Sequence, residues 1–359
     1  MLSLVIKKEN EMENKKVLLG MSGGVDSSVS ALLLKQNGYD PIGMTLELFA
    51  GSSCCNVSTY IDAKNVCNSI GIPHITDDCK ILFKKCVIQD FIDCYSNCKT
   101  PNPCIECNKY LKFGKFYDLA EELNCNYIAT GHYAKIEYSN KYKQYVLKKA
   151  EEIKKDQTYF LYSISKEKLP HILFPLQNYT NKEDTRNIAE KAGLKIAKKK
   201  DSQEICFIPN NNYQEFLVKY IDKVRPGNIV LRNGEILGKH NGIINYTIGQ
   251  RKGLGISYKE PLYVIELNIE KNEVIVGTEK ELYKDILYAD NLNFIIDAGE
   301  EFECYAKIRY RAKEAKAKVV ITEGKAKVKF EEQQRAITRG QSVVFYDNEG
   351  IVIGGGKIL

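Results

Sequence analysis

The apolar positions of the first two hundred residues alternate between two spacings. Short apolar runs predict strands at "KVLLGM" (16–21), "YDPIGMTLEL" (39–48) and "CNYIATGHYAKI" (125–136), the last running into a turn. The segments "VSALLLKQNG", "YIDAKNVCNSIG" and "FGKFYDLAEELN" repeat apolar residues at helical spacing, and the first two end at Gly38 and Gly71. This alternation predicts a parallel sheet with helices on both faces.

After about residue 212 the pattern changes to short segments of period two. They include "GNIVLRNGEILGKHNG", "PLYVIELNIEKNEVIVG", "ECYAKIRYRAKEAKAKVVI", "KAKVKF" and "QSVVFYDNEGIVIGGGKIL", and they are broken by NG, KN and EG turns. Such short strands at turn-punctuated spacing are typical of small β domains or barrels.

Length and composition limit the number of domains and the class of protein. The chain has 359 residues, which suggests two or three domains, and its 44% hydrophobic and 27% charged content is that of a globular protein. The net charge of +6 permits a polyanionic partner without requiring one. We expect no membrane span and no signal peptide, and therefore a cytoplasmic protein whose twelve cysteines form no disulfide framework.

The loop "GMSGGVDSS", residues 20–28, carries the strongest local signal, because it follows a predicted strand and opens a predicted helix. Its small side chains, hydroxyl groups and backbone N–H groups would lie at the positive end of that helix, which suits a phosphate or pyrophosphate. No Gly-Lys-Ser/Thr follows, so this is not a Walker A loop, and it lacks the dinucleotide fingerprint. The alternative is a Gly/Ser turn that only caps the helix.

Three cysteines stand apart from the others. Cys104 and Cys107 lie two residues apart in "TPNPCIECNKYLKF", and Cys206 lies in the basic segment "KKKDSQEICFIP". The first pair could serve as zinc ligands, a redox pair, iron–sulfur ligands, or one catalytic thiol with a bystander. The remaining nine show no repeated spacing, and we interpret them as buried spectators.

Eight blocks of the chain, in order, resemble the bacterial tRNA-specific 2-thiouridylase family. The blocks are "GMSGGVDSS", "TPNPCIECNKYLKFG", "ATGHYAKI", "KKDQTYFLYSI", "KKKDSQEICFIP", "YTIGQRKGLGI", "AKIRYR" and "GQSVVFYD…VIGGGKIL". The resemblance covers residues 16–359. Near the C-terminus, Gln333 and Arg339 depart from the family, which commonly has prolines at these two positions, and we expect both in loops.

The resemblance implies a fold class and four segments. The N-terminal part would be an α/β domain with a parallel sheet, adenine nucleotide alpha hydrolase-like, carrying a PP-loop. A small central domain and a C-terminal β-barrel would follow. The expected boundaries are an extension at 1–15, the catalytic ATP pyrophosphatase domain at 16–211, the central tRNA-binding domain at 212–282 and the barrel at 283–359.

The resemblance also implies an activity and its residues. The family replaces the C2 oxygen of the wobble uridine of certain tRNAs with sulfur, using ATP and Mg²⁺ to adenylate that oxygen. The implied ATP-binding residues are Gly20, Met21, Ser22, Gly23, Gly24, Val25, Asp26, Ser27, Met44 and Gly131. The implied tRNA or target-base residues are Asn102, Pro103, Cys104, His132, Lys155, Asp156, Gln157, Arg309, Tyr310 and Gln341. The implied catalytic residues are Cys107, Cys206 and Asp26, although Asp26 could instead be a simple helix cap.

Two sulfur routes remain open from the sequence. In the first, Cys206 carries a persulfide and Cys107 then forms a disulfide with it. In the second, Cys104, Cys107 and Cys206 hold three irons of a 4Fe–4S cluster whose fourth iron binds hydrosulfide. We favour the cluster, because the C-x-x-C…C pattern resembles tRNA thiolases of that kind. Zinc would lack a fourth ligand, and the loop lacks the helix context of a thioredoxin-like pair.

The basic residues of the C-terminal third support an RNA partner. The segment 304–330 contains nine Lys or Arg residues and only two Glu residues. We expect Lys307, Arg309 and Arg311 on one strand face, and the three lysines at 325, 327 and 329 on another. The expected partners are a tRNA with a wobble uridine and a sulfur donor, which could be a persulfide relay protein, a cysteine desulfurase or free sulfide; neither DNA nor a membrane is expected.

Two rival classes remain. Another PP-loop adenylating enzyme would leave the basic barrel without a role, and a non-catalytic RNA-binding protein would leave the phosphate loop without one. No histidine outside His132 has a partner pattern, so we expect the other three to be structural or surface residues.

Overall fold

The protein is represented by a computed structural model. It describes residues 15–49, 57–179, 182–198, 205–208, 210, 212–221 and 224–359. The described residues form two compact units. One contains residues up to 86 together with 104–207, and the other contains 87–103 together with 208–359. Of the predicted extension at 1–15, only Lys15 is among the described residues. Cys54 and Cys55 also lie outside them.

The first unit is built on a parallel sheet of five strands. In chain order the strands of this unit are β1 (Lys16–Gly20), β2 (Asp40–Glu47), β3 (His74–Asp78), β4 (Tyr127–Ala129), β5 (Lys135–Ser139), β6 (Gln144–Lys148) and β7 (Ile172–Leu173). The sheet order is β3-β2-β1-β4-β7 with every pair parallel, and β5 and β6 form a separate antiparallel hairpin. The predicted parallel sheet is confirmed.

Helices connect and cover these strands. The α-helices along the described chain are α1 (Val25–Gln36), α2 (Val57–Ile70), α3 (Lys80–Phe83), α4 (Gln89–Ser96), α5 (Pro103–Cys107), α6 (Phe116–Glu122), α7 (Lys182–Lys191) and α8 (Tyr213–Val218). Two π-helical stretches, Lys84–Ile88 and Asn108–Lys115, follow α3 and α5. Short 3₁₀ turns lie at Ile153–Lys155, Thr158–Phe160, Lys166–His171, Lys195–Lys198, Ile243–Asn245 and Glu279–Leu282.

The core of the first unit lies between α1 and the sheet. Val17 and Leu19 of β1 pack with Val29 and Leu34 of α1, all nearly or completely buried. The apolar spacing that predicted α1 therefore marks its buried side. The chain leaves α1 through Gly38, which has a φ of +75° that glycine adopts without strain.

The second unit contains two β structures. Its strands are β8 (Gly227–Leu231), β9 (Ile236–His240), β10 (Tyr263–Asn268), β11 (Glu273–Gly277), β12 (Tyr283–Phe294), β13 (Glu301–Lys307), β14 (Ala315–Thr322), β15 (Lys325–Arg335), β16 (Ser342–Tyr346) and β17 (Val352–Ile358). The first four form a sheet of order β10-β11-β8-β9, and the others close into a barrel of order β12-β15-β14-β13-β16-β17. The predicted fold class, an α/β domain followed by a small β domain and a barrel, is confirmed.

Two local predictions in the barrel are wrong. β13 ends at Lys307, so Arg309 and Arg311 lie in the turn that follows and not on a strand face. Gln333 lies within β15 and not in a loop, whereas Arg339 does lie in a turn. Period-two spacing continues past the true strand end in the sequence, and only the pairing of β13 with β14 and β16 stops the strand at Lys307.

Among the described residues, no helix has both the length and the apolar character needed to cross a membrane.

Candidate active site

The predicted nucleotide loop lies at the carboxyl ends of β1, β2 and β4. Gly20, the last residue of β1, pairs with Met44 of β2, and the Met21 N–H donates to the Met44 carbonyl at 2.8 Å. The Thr45 hydroxyl donates to the Met21 carbonyl at 2.9 Å. Ligands of open α/β sheets bind at this edge. The structure therefore brings Met44 beside the loop.

Hydrogen bonds within the loop fix its shape. The hydroxyl groups of Ser22 and Ser27 lie 3.2 Å apart, and the Ser27 hydroxyl donates to the Gly24 carbonyl at 3.2 Å. Gly24 is the N-cap of α1 and provides no side-chain cap, so the N-terminus of this 12-residue helix opens toward the loop. Partial positive charge at that end favours a phosphate or pyrophosphate.

Gly23 is required by both conformation and space. Its φ is +63°, and a Cβ at this position would lie 2.3 Å from the Thr59 carbonyl oxygen. Because the clash is with backbone, no side-chain movement relieves it. The loop therefore accepts only glycine here.

Gly131 and Tyr133 approach the loop from the turn after β4. A Cβ on Gly131 would lie 2.9 Å from the Asp26 carbonyl carbon, so this glycine allows the turn to contact the start of α1. The Tyr133 hydroxyl donates to Asp26 Oδ1 at 2.9 Å. Sequence reasoning named Gly131 and Asp26 but missed Tyr133, although it lies within the block "ATGHYAKI" that carried the resemblance.

His132 lies in the same turn and is neutral at physiological pH. Burial, with Lys112 nearby, holds the pKa of His132 well below its ordinary value. Its Nδ1 lies 2.8 Å from the Thr130 hydroxyl, and its ring packs against Phe113 and Phe174 at centroid distances of 5.9 and 6.1 Å. A tRNA contact by His132 would therefore use hydrogen bonding or stacking and not ion pairing.

The predicted tRNA segment 155–157 is tied to Tyr133. Gln157 and Tyr133 exchange two hydrogen bonds of 2.9 Å, one from the Gln157 N–H to the Tyr133 carbonyl and one from the Tyr133 N–H to Gln157 Oε1. Lys155 Nζ lies 4.9 Å from the centroid of the Tyr133 ring. Asp156 is buried, and its carboxylate accepts hydrogen bonds from Ala150 and Thr158. Asp156 therefore shapes this segment from within.

The three singled-out cysteines differ in exposure. Cys104 is exposed, Cys107 is buried and Cys206 is intermediate. Cys206 precedes Phe207, which is buried and packs edge-to-face on Phe83 at 5.7 Å. Over the ranges that the structure describes, no three His, Cys, Asp or Glu side chains come together closely enough to hold a metal ion. The arrangement of these three cysteines consequently does not fit an iron–sulfur ligand set.

Several spectator cysteines have thiols of low reactivity. Burial raises the pKa of Cys67 and Cys304 to about 12, and it raises the pKa of Cys98 to about 11. A thiol is nucleophilic as the thiolate, so these groups stay unreactive near neutral pH.

The remaining predicted tRNA residues lie in the second unit. The Arg309 guanidinium donates to the Ala336 carbonyl and to the Thr338 hydroxyl, and the adjacent Tyr310 is half-buried. The Gln341 side-chain amide donates to the carbonyls of Thr100 and Pro101 at 2.9 and 3.1 Å. Gln341 thus holds the backbone that precedes the half-buried Asn102 and the buried Pro103.

One face of the barrel is rich in lysine. Lys325, Lys327 and Lys329 are exposed on β15 and alternate with the buried Ala326, Val328 and Phe330, as predicted. The same face continues onto neighbouring strands, because Lys318 of β14 pairs with Lys329 and the half-exposed Tyr288 of β12 pairs with Lys327. Positive charge beside an exposed aromatic ring suits a nucleic-acid backbone.

The fold and the loop define a class of protein, an α/β domain with a phosphate-type loop followed by a small β sheet and a closed β-barrel. The family model of the tRNA methyl transferase HUP domain matches residues 15–210. The tRNA methyl transferase PRC-barrel domain matches 214–278, and the aminomethyltransferase beta-barrel domain matches 284–358.

Curated relatives define the family more narrowly. The chain is 49% identical over 356 residues to the tRNA-specific 2-thiouridylase MnmA of Clostridioides difficile, covering 96% of this chain and 98% of the relative. It is 48% identical to that of Acetivibrio thermocellus, covering 97% and 100%, and 50% identical to that of Caldicellulosiruptor saccharolyticus, covering 96% and 98%. The chain belongs to the tRNA-specific 2-thiouridylase family.

Solved structures are more distant. A 4-thiouridine synthetase–RNA complex with bound ATP matches with a TM-score of 0.40 at 16% identity, covering 57% of this chain and 50% of that one. The U34-tRNA thiolase NcsA from Methanococcus maripaludis with its 4Fe–4S cluster matches at 0.36 and 19%, covering 59% and 67%. At these scores neither likeness bears on the site or its cofactor.

Proposed function

We propose that this protein catalyses ATP-dependent 2-thiolation of the wobble uridine of tRNA. The observation that carries the proposal is a fully formed nucleotide loop, Gly20 to Ser27 with Met44 and Gly131 beside it, in a member of this family. Binding of ATP by the loop follows from its N–H groups, its hydroxyls and the dipole of α1. We expect the reaction in the cytoplasm, where tRNA and ATP are both present.

Adenylation solves the chemical difficulty of the reaction. The C2 carbonyl of uracil is a poor electrophile, and its oxygen is a poor leaving group. Transfer of AMP from ATP to that oxygen, with release of pyrophosphate, makes C2 electrophilic and converts the oxygen into part of AMP. The loop would stabilise negative charge on the departing pyrophosphate. The base must leave the anticodon stack to reach this site.

Asp26 is the residue that would hold Mg²⁺. Magnesium bound with nucleotide phosphates takes one or two protein carboxylates, so one aspartate in the first turn of α1 fits that donor set. When bound, the ion would neutralise charge on the phosphates. Asp26 itself is oriented by the Tyr133 hydroxyl.

We propose the persulfide route for sulfur. This route needs only Cys107 and Cys206, whereas the cluster needs Cys104 as a third ligand, and the described residues form no metal-ligating group of three side chains. Cys206 would accept sulfane sulfur from a donor, a persulfide relay protein, a cysteine desulfurase or free sulfide with an oxidant. The terminal persulfide sulfur attacks C2, the C2–O bond breaks and AMP leaves. The Cys107 thiolate then attacks Cys206 Sγ, which forms a Cys107–Cys206 disulfide and releases the 2-thiolate of uridine. An external dithiol reduces the disulfide and closes the cycle.

We propose tRNA contacts in two places. The first is the turn of His132 with segment 155–157, and the second is the lysine face of the barrel with Arg309, Tyr310 and Gln341. We also propose that the chain divides near residues 212 and 283, with residues 16–211 carrying the chemistry.

The test separates adenylation from sulfur transfer. Purified protein is assayed for exchange of ATP with labelled pyrophosphate, with and without tRNA, and for thiolation of tRNA from a persulfide donor. We expect Cys107→Ser and Cys206→Ser to lose thiolation by more than about a hundredfold while tRNA-stimulated exchange persists, with Cys304→Ser as a matched control that keeps both.

Three results would contradict the proposal in different ways. Exchange driven by a small molecule and not by tRNA would indicate another adenylating enzyme, and tRNA binding without exchange would indicate a binding protein. The third result is iron and acid-labile sulfide in protein purified without oxygen. If Cys104→Ala loses both of these together with thiolation, the cluster route is correct and the persulfide route is wrong.

A further inference from the structure

Tyr133 occupies a central position between two predicted binding elements of the first unit. It is 3% exposed and packs in the core beneath α1. Its hydroxyl group reaches Asp26 of the nucleotide loop, 107 residues away in sequence. Its backbone and ring contact Gln157 and Lys155, which belong to the predicted tRNA segment. One residue therefore touches both the nucleotide loop and the tRNA segment.

Two hydrogen bonds fix the orientation of the Tyr133 hydroxyl group. Its hydroxyl donates to the Asp26 carboxylate and also forms a hydrogen bond with the side chain of Thr185, which is completely buried in α7. Burial, together with the negative charge of Asp26, raises the pKa of the Tyr133 phenol, so the hydroxyl keeps its proton near neutral pH. With one partner on each side, the hydroxyl cannot turn away from Asp26 without breaking a hydrogen bond in the core.

The connection from Tyr133 to segment 155–157 is also rigid. The two reciprocal hydrogen bonds with Gln157 fix the position of the Tyr133 main chain relative to that segment. The Asp156 carboxylate fixes the segment internally through Ala150 and Thr158. A displacement of the segment would therefore move the Tyr133 backbone, and through its ring the hydroxyl that orients Asp26.

We propose that Tyr133 is a positioning residue that couples tRNA binding at segment 155–157 to the orientation of Asp26 in the nucleotide loop. The proposal rests on the proposed function, since it requires that segment 155–157 binds tRNA. Tyr133 itself need not touch either substrate. Its role is to make the loop competent for adenylation when the correct RNA is in place.

The test measures coupling between the two ligands, which a residue of purely structural importance would not change selectively. Tyr133→Phe removes only the hydroxyl group. Tyr39→Phe is the matched control, because Tyr39 packs against the same core and, among the described residues, stacks edge-to-face on Tyr127 and not on the loop. For each variant, pyrophosphate exchange is measured with and without tRNA, and tRNA affinity is measured with and without a non-hydrolysable ATP analogue.

We expect tRNA to stimulate exchange in the wild type and in Tyr39→Phe, and this stimulation to fall about tenfold in Tyr133→Phe. Coupling of two ligands is reciprocal, so the effect of the ATP analogue on tRNA affinity should fall by a similar factor. Combining Tyr133→Phe with Gln157→Ala should give less than the sum of the two single losses, because both act on one connection.

Two results would overturn the inference. If Tyr133→Phe lowers exchange equally with and without tRNA, the hydroxyl shapes the nucleotide loop but does not couple it to RNA. If Tyr133→Phe matches Tyr39→Phe in every measurement, the hydroxyl has no role. A wild type that shows neither exchange nor tRNA binding would instead refute the proposed function, and the inference with it.

Discussion

The nucleotide loop and the cysteine segments of the first unit differ in how their functional groups are brought together. The loop uses consecutive residues from 20 to 27, at the end of one strand and the start of one helix, with internal serine hydrogen bonds. The cysteines come from two segments about a hundred residues apart, and in the described chain they form no metal-ligating group.

This difference separates the two chemical stages of the proposed reaction. The proposed adenylation site is built mainly on the local backbone geometry of residues 20–27. The two cysteines proposed for sulfur transfer have different environments, since Cys107 is buried and Cys206 is partly exposed. We infer that the first stage uses a preformed loop, whereas the second requires residues from two separate segments of the chain to meet.

The largest expected effect tests preorganisation of the loop. Gly23→Ala should abolish pyrophosphate exchange, by more than about a hundredfold, because its Cβ would clash with the Thr59 carbonyl at a φ of +63°. Gly71→Ala is the control: its φ is +73°, but no described atom lies within 4 Å of the added Cβ. That variant should reduce the free energy of unfolding by about 1 kcal/mol and keep exchange. Equal effects of both substitutions would show that the loop is not rigidly held.

A smaller effect is expected from the lysine face, which tests whether the barrel contributes to RNA binding. The triple change of Lys325, Lys327 and Lys329 to Gln should weaken tRNA affinity about thirtyfold at physiological salt. It should also reduce the slope of log affinity against log salt concentration by about one for each phosphate that the lysines neutralise in the wild type. Measurement is by filter binding or fluorescence anisotropy at several salt concentrations.

The control for the lysine face removes the same charge elsewhere in the unit. Changing the exposed Lys271, Lys280 and Lys284 to Gln should weaken binding less than about threefold. If both triple variants weaken binding equally, the net charge matters and the face does not.

The last prediction concerns the chemical reactivity of the thiols and involves no change in the chain. With iodoacetamide at about pH 8, we expect Cys104 to react first because it is exposed. Cys67 and Cys304, whose pKa values are raised to about 12, have about one thiolate in ten thousand at that pH. Each further pH unit should raise their reaction rate about tenfold. Mass spectrometry of tryptic peptides measures this, and Cys304 reacting as fast as Cys104 in the folded protein would contradict it.

Sequence reasoning succeeded where function depends on contiguous residues. The strand before the nucleotide loop, the helix after it and the glycine ends of the first two helices follow from apolar spacing and φ preferences. It failed where strand pairing decided the outcome, as at Arg309, which lies beyond the end of β13. It also missed Tyr133, because nothing in the neighbouring residues signals a hydrogen bond to Asp26.

The sequence alone determined the fold class, the nucleotide loop and the membership of the family, because each of these depends on local periodicity or on ordered blocks of residues. Only the tertiary structure decided which distant groups meet. It joined Tyr133 to both Asp26 and Gln157, and it placed the Gln341 amide on the backbone of Thr100 and Pro101. Within the part of the chain that the structure describes, it left Cys104, Cys107 and Cys206 outside any metal-ligating group. The physical reason is that such contacts depend on packing between segments far apart in the chain, which no local spacing encodes.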